Sequence, residues 1–265
     1  MFPKRLAIIA RAFAFWFLFQ GFVLGGLSIY LPIPAELRGL VIGTILTGLM
    51  ILATWLFLKT EITQLADLDL VPRIQSLYRF LLGFFPGLVL FGFFFLVYLW
   101  MAPVTFVDIE SPDLFNALFI SFLTFLVLSA MEEVVFRGYF LHKLKQATGT
   151  RLAIYITSVA FGLYHGPTIE SLTGPAVWGL IYAVLALWTR GLAIPIGFHV
   201  GVNYIQALFS QKQDWVPGIW TFEISDHTAI LTVEQVTMTL QLLLFIAGVI
   251  LVEVYLRKES SALHR

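Results

Sequence analysis

Eight apolar stretches, most close to the ~20 residues that a helix needs to cross roughly 30 Å of hydrocarbon, constrain this chain more than any motif in it. They cover approximately 6–30, 38–58, 78–101, 114–141, 151–166, 175–189, 191–209 and 236–256, the fifth to seventh being shorter and more broken by Gly and Pro. In lipid only helices and closed barrels satisfy every peptide group internally, and spans of this length are helical. The sequence therefore predicts an all-α polytopic transmembrane helical bundle. Composition agrees, because 59% hydrophobic and 12% charged residues leave too few polar groups to cover a globule in water. The first span follows MFPKR, but its apolar run exceeds that of a signal peptide and no convincing cleavage site precedes the next span. It reads as a retained helix, and residues 1–265 read as a single transmembrane domain.

Charge placement predicts orientation. With the N-terminus in the cytoplasm, all of the 16 lysines and arginines except Arg38 and Lys212 fall in or beside cytoplasmic segments, as the positive-inside rule requires, and an even number of spans returns the C-terminus to the same side. The 16 acidic residues bring the formal charge to zero, so nothing global attracts nucleic acid. Cysteine is absent, which excludes thiol catalysis, Cys-ligated zinc and iron–sulfur clusters. The segment 210–235 lies outside on this topology, and its Trp215 and Trp220 suit a loop resting on the headgroups. Glycine pairs one turn apart, at 21 and 25, 39 and 43, 83 and 87, and 197 and 201, predict close helix packing within the bundle. Pro86 and Pro195 predict kinks.

Ionisable residues inside the spans carry the functional information, since each costs ~2.5–3.5 kcal/mol at the bilayer centre and normally faces a partner or a wet cavity. Span four holds Glu132, Glu133 and Arg137, span five His165, and span seven His199 and Asn203. At about 1.5 Å per helical residue, Glu132 and Glu133 lie roughly 15–17 Å from the cytoplasmic boundary, His165 roughly 21 Å, and His199 with Asn203 roughly 13–20 Å. Three helices thus bring acids, imidazoles and an amide to one layer. Glu133 and Arg137 are four apart in the order that favours a same-face ion pair. Glu132, rotated about 100° away, is left to meet His165 and to take a proton from water. His199 and Asn203 present donors from one face for an oxyanion. His142, His227 and His264, at a helix end, in the outer loop and in the tail, read as solvated.

These residues carry a resemblance. EEVVFR at 132–137, FGLYH at 161–165 and HVGVN at 199–203 match, in order and on successive spans, the motifs EExxxR, FxxxH and HxxxN. The sequence resembles the CPBP family of intramembrane proteases, which contains type II CAAX prenyl endopeptidases and bacteriocin-processing or self-immunity proteins. The similarity covers about residues 113–209, the expected catalytic core. It implies a membrane-embedded endopeptidase in which Glu132 primes water, His165 assists, His199 and Asn203 hold the oxyanion, and Glu133, Arg137 and Phe161 shape the site. The family was named for metalloproteases, yet the chain has no HExxH and an arginine beside the acids. No metal or other cofactor is favoured; zinc, if used, would fall to Glu132, His165 and His199.

The expected partners are the bilayer and a membrane-associated protein or peptide, prenylated at a CaaX terminus or not, in a prokaryotic plasma membrane. The site is expected to open toward the cytoplasm and laterally to lipid. Two other classes stand beside this reading: a non-catalytic immunity or binding protein with an idle site, and a transporter or proton relay, which uses buried Glu, His and Arg as readily.

Overall fold

In the computed structural model, the described residues are 2–27, 32–59, 64–68, 70–71, 73–212, 218–225 and 231–263. Trp215, His227 and His264 lie outside them. Each expected stretch is helical: α1 (Phe2–Leu27), α2 (Ala35–Leu58), α3 (Ile74–Met101), α4 (Asn116–Thr148), α5 (Thr150–Tyr164), a short α6 (Ile169–Thr173) leading into α7 (Pro175–Thr189), α8 (Ala193–Leu208) and α9 (Val233–Leu263). Six of these runs, the α6–α7 pair taken together, are long and apolar enough to cross a membrane, and the chain is an integral, multi-pass membrane protein. The other two, α5 and α8, have 15 and 16 residues, which at 1.5 Å per residue falls short of the hydrocarbon thickness.

Helix α3 shows how each span divides its surface. One stripe, Phe85, Val89, Phe93, Leu96 and Trp100, is exposed at the three- and four-residue steps of a single helix face, as a lipid-facing side should be. Another buries Gly83 and Gly87 against α8. A β-carbon on Gly83 would collide with the carbonyl oxygen of Ile194, and one on Gly201 with that of Phe84, so two of the glycine pairs form a seam at which backbones touch. At Gly21 and Gly25 an added β-carbon would meet nothing within 4 Å. Pro86 lies inside α3. Pro195, by contrast, is the third residue of α8, in the first turn, where no helical carbonyl awaits its missing N–H; it starts the helix and opens no backbone beside His199.

The outer segment is more ordered than a loop resting on headgroups. Val104–Asp108 (β1) pairs antiparallel with Trp220–Ile224 (β2), Phe106 opposite Phe222. Phe209 packs between them and α3, its ring centroid 4.4 Å from that of Phe95 and 4.9 Å from that of Phe106. This two-stranded ribbon caps the end of the bundle where α3 and α8 stop.

Candidate active site

Glu132 and Glu133 end the α-helical stretch Ser121–Glu133 of α4, Val134–Phe140 continues as π-helix, and Leu141–Thr148 is α-helical again, the Leu141 N–H reaching Phe136 O five residues back. A π-turn of this kind inside a long helix commonly marks a functional position. All residues from 131 to 140 are buried. The predicted Glu133–Arg137 pair forms at 3.2 Å with both side chains withdrawn from solvent. Arg137 also donates to Gly179 O at 3.3 Å, and its guanidinium lies 4.3 Å from the centre of the Phe161 ring. Gly179 leaves room for that approach, since a β-carbon there would lie 3.3 Å from Arg137 Nη2.

His199 joins the two acids. Its Nδ1 is 2.9 Å from Glu133 Oε1, the same oxygen that faces Arg137, and its Nε2 is 3.6 Å from Glu132 Oε2. Its ring stacks on Tyr182, centroids 4.3 Å apart. Glu132 is therefore not paired with His165 as helix phase suggested: no hydrogen bond or ion pair joins them, and the imidazole beside Glu132 is His199. His165 caps the C-terminus of α5, its Nδ1 2.9 Å from Phe161 O, and its ring meets Phe161 edge-on at 4.7 Å. Asn203, one turn beyond His199, donates to Ser129 Oγ at 3.3 Å. The Phe161 ring thus lies against Arg137, His165 and His199 at once.

His165, His199 and Asn203 line one cavity of about 280 Å³, with walls from Phe94, Tyr98, Trp178 and Tyr182. Its other lining residues include Gln206, Lys212 and Thr237, all at the end of the bundle where α3 stops and α9 starts. The cavity therefore extends toward the outer end of the charge-based topology, opposite to the opening expected from sequence. Lys212, which read only as an exception to the charge rule, is half-buried in this wall; burial brings its ammonium from the usual 10.5 down to about 8, against the pull of Glu132. Tyr182 was equally silent, because a tyrosine in an apolar span reads as core. A second cavity, of about 740 Å³, lies at the basic end and reaches Arg137 from the other side. The cluster thus has a cavity on each flank.

Among the described residues no three or more His, Asp or Glu side chains converge as a metal site. Glu133 Oε1 faces Arg137 and His199, and His165 turns its Nδ1 to a carbonyl; in both histidines Nδ1 is the nitrogen held by the protein, as it also is in histidines that ligate a metal through Nε2. Residues 114–205, the helices that build the site, match the family described as Rce1-like: Type II CAAX prenyl endopeptidase Rce1-like. Neither the curated proteins nor the solved structures contain a significant match to the chain.

Proposed function

From the premise that the chain belongs to the CPBP family through residues 114–205, a family relation that implies a CAAX-type intramembrane peptidase, we propose that it hydrolyses a peptide bond in a membrane-associated protein or peptide by glutamate-activated water. The observation that carries this reading is the approach of Glu132 Oε2 to 3.6 Å from His199 Nε2, beside the cavity that His199, His165 and Asn203 line.

Glu132 Oε2 is buried and has no hydrogen-bond partner among the described residues, so a lone pair is available to a water resting against both it and His199. As that water attacks the scissile carbonyl carbon, its proton passes to Glu132 and the carbonyl oxygen becomes an oxyanion. His199 donates to Glu133 through Nδ1 and, when doubly protonated, offers Nε2–H to the oxyanion; the Asn203 amide adds a second donor. Glu133 fixes the imidazole orientation, as the buried acid of a triad does. Collapse of the tetrahedral intermediate breaks the C–N bond, and Glu132 returns its proton to the leaving amine. His165, exposed at the cavity wall, assists by holding the peptide. A prenylated CaaX terminus is the substrate class the family name favours, and the aromatic walls of Phe94, Trp178 and Tyr182 suit an apolar chain.

Purified protein in liposomes, offered a panel of prenylated and unprenylated membrane peptides, should cleave at least one of them, and Glu132→Gln should abolish the cut. Undiminished cleavage by Glu132→Gln would refute the mechanism. The cavities on both flanks of Arg137–Glu133–His199 favour a second reading, a proton relay. In the same liposomes, proton flux without cleavage selects it.

A further inference from the structure

The larger cavity, at the basic end, takes no part in the reaction above. Its charged wall is uneven. Lys145 is neutralised by Glu259 at 2.7 Å, and the Asp67 carboxylate accepts from the Gln64 N–H. Arg190 and Lys258 also line the cavity, are exposed, and have no carboxylate partner among the described residues. Arg190 closes α7 with φ 54° and ψ 41°, a left-handed position where glycine is the usual residue; an arginine held there brings a guanidinium to the cavity at a backbone cost. Lys258 sits 4.6 Å from the centre of the Trp188 ring, and Trp188 is itself 47% exposed. At the inner end lies Arg137, 3% exposed, whose Nε has no hydrogen-bond partner among the described residues.

Two cations at the mouth without a carboxylate partner among the described residues, above a buried guanidinium at the floor, describe a receptor for a compact oxyanion. The cavity lies where α7 and α9 leave the apolar layer, and an exposed tryptophan at such a boundary anchors to lipid headgroups. Leu187 and Leu192 add apolar wall, which a soluble anion would not need. We propose that this cavity binds the phosphate head group of an anionic phospholipid from the leaflet at the basic end of the bundle, with Arg190 and Lys258 as its charged contacts. Basic pockets between membrane helices are suited to such head groups. The inference does not depend on the proposed hydrolysis.

Native mass spectrometry of the full chain in neutral detergent, titrated separately with phosphatidylglycerol, phosphatidylcholine and inorganic phosphate, tests it. One saturable phosphatidylglycerol adduct should appear, bound at least tenfold more tightly than phosphatidylcholine. The double variant Arg190→Gln/Lys258→Gln changes only exposed side chains and should lose that tenfold preference while keeping the wild-type thermal midpoint without lipid. Trp188→Leu should weaken phosphatidylglycerol binding severalfold. Equal binding of both lipids, an adduct unchanged in the double variant, or inorganic phosphate binding as tightly as phosphatidylglycerol would each overturn the proposal, the last by assigning the site to a soluble anion.

Discussion

The long helices and the two short ones do different work in this bundle. Helix α3, 28 residues in length, crosses the apolar layer, presents Phe85, Val89, Phe93 and Leu96 to lipid and gives glycines to a neighbour. Helices α5 and α8, at 15 and 16 residues, instead begin or end inside the layer: α5 stops at Tyr164 and leaves His165 as its cap, while α8 starts at Ala193 among buried residues, the Leu192 N–H being taken by Leu68 O. The two short helices thus set, by where they begin and end, the depth at which His199 meets the α4 acids and His165 meets the cavity wall.

Five substitutions test that division, the largest effect coming first. Glu132→Gln keeps the shape of the cluster and removes the proposed base; peptidase activity should fall by about 10²–10⁴, the usual contribution of general acid–base groups, with helical content by circular dichroism unchanged. Arg137→Met leaves Glu133 buried without its cation and should cost about 3–5 kcal/mol, read as a lowered midpoint of thermal unfolding in detergent; an unchanged midpoint would mean that the pair is dispensable to the fold. Gly201→Val thickens the seam between α3 and α8 and should cost ~1–3 kcal/mol by overpacking, a loss that the same substitution at Gly21 should not reproduce.

Lys212→Met sharpens the comparison at the cavity wall. Because the folded lysine titrates near 8 and an ordinary one near 10.5, the unfolded chain holds the extra proton between those values. Stability should therefore rise with pH across that interval, and pH-dependent unfolding should show the rise flattened in the variant. Smallest of all is Val89→Leu, on the lipid-facing stripe of α3, which should change stability by no more than ~0.5 kcal/mol. A larger shift would mean that this stripe meets protein.

The sequence made the long helices legible because an apolar run must be helical in lipid, and it made the Glu133–Arg137 pair legible because a four-residue step survives into the π-turn at 3.2 Å. It also brought His165, His199 and Asn203 to one cavity through depth and motif spacing. What it missed depends on contacts between elements. Helix phase says that Glu132 points away from Glu133, but not which helix stands there, and that helix is α8 with His199. The β1–β2 ribbon joins two five-residue stretches more than a hundred residues apart, too short to show a pattern. Lys212 looked like a loop lysine, since nothing local reports that its side chain folds into a cavity shared with His165 and Asn203.

The shortness of α5 has a consequence for the membrane itself. Leu152, Val159 and Leu163 form an exposed stripe on a helix of 15 residues, about 22 Å long. Lipid tails meeting that face must shorten or tilt, because the undisturbed layer is roughly 30 Å thick. The protein would then carry a dimple in the surrounding bilayer next to His165, a weak spot through which an amphiphilic chain could slip sideways with less of its polar backbone dragged through oil.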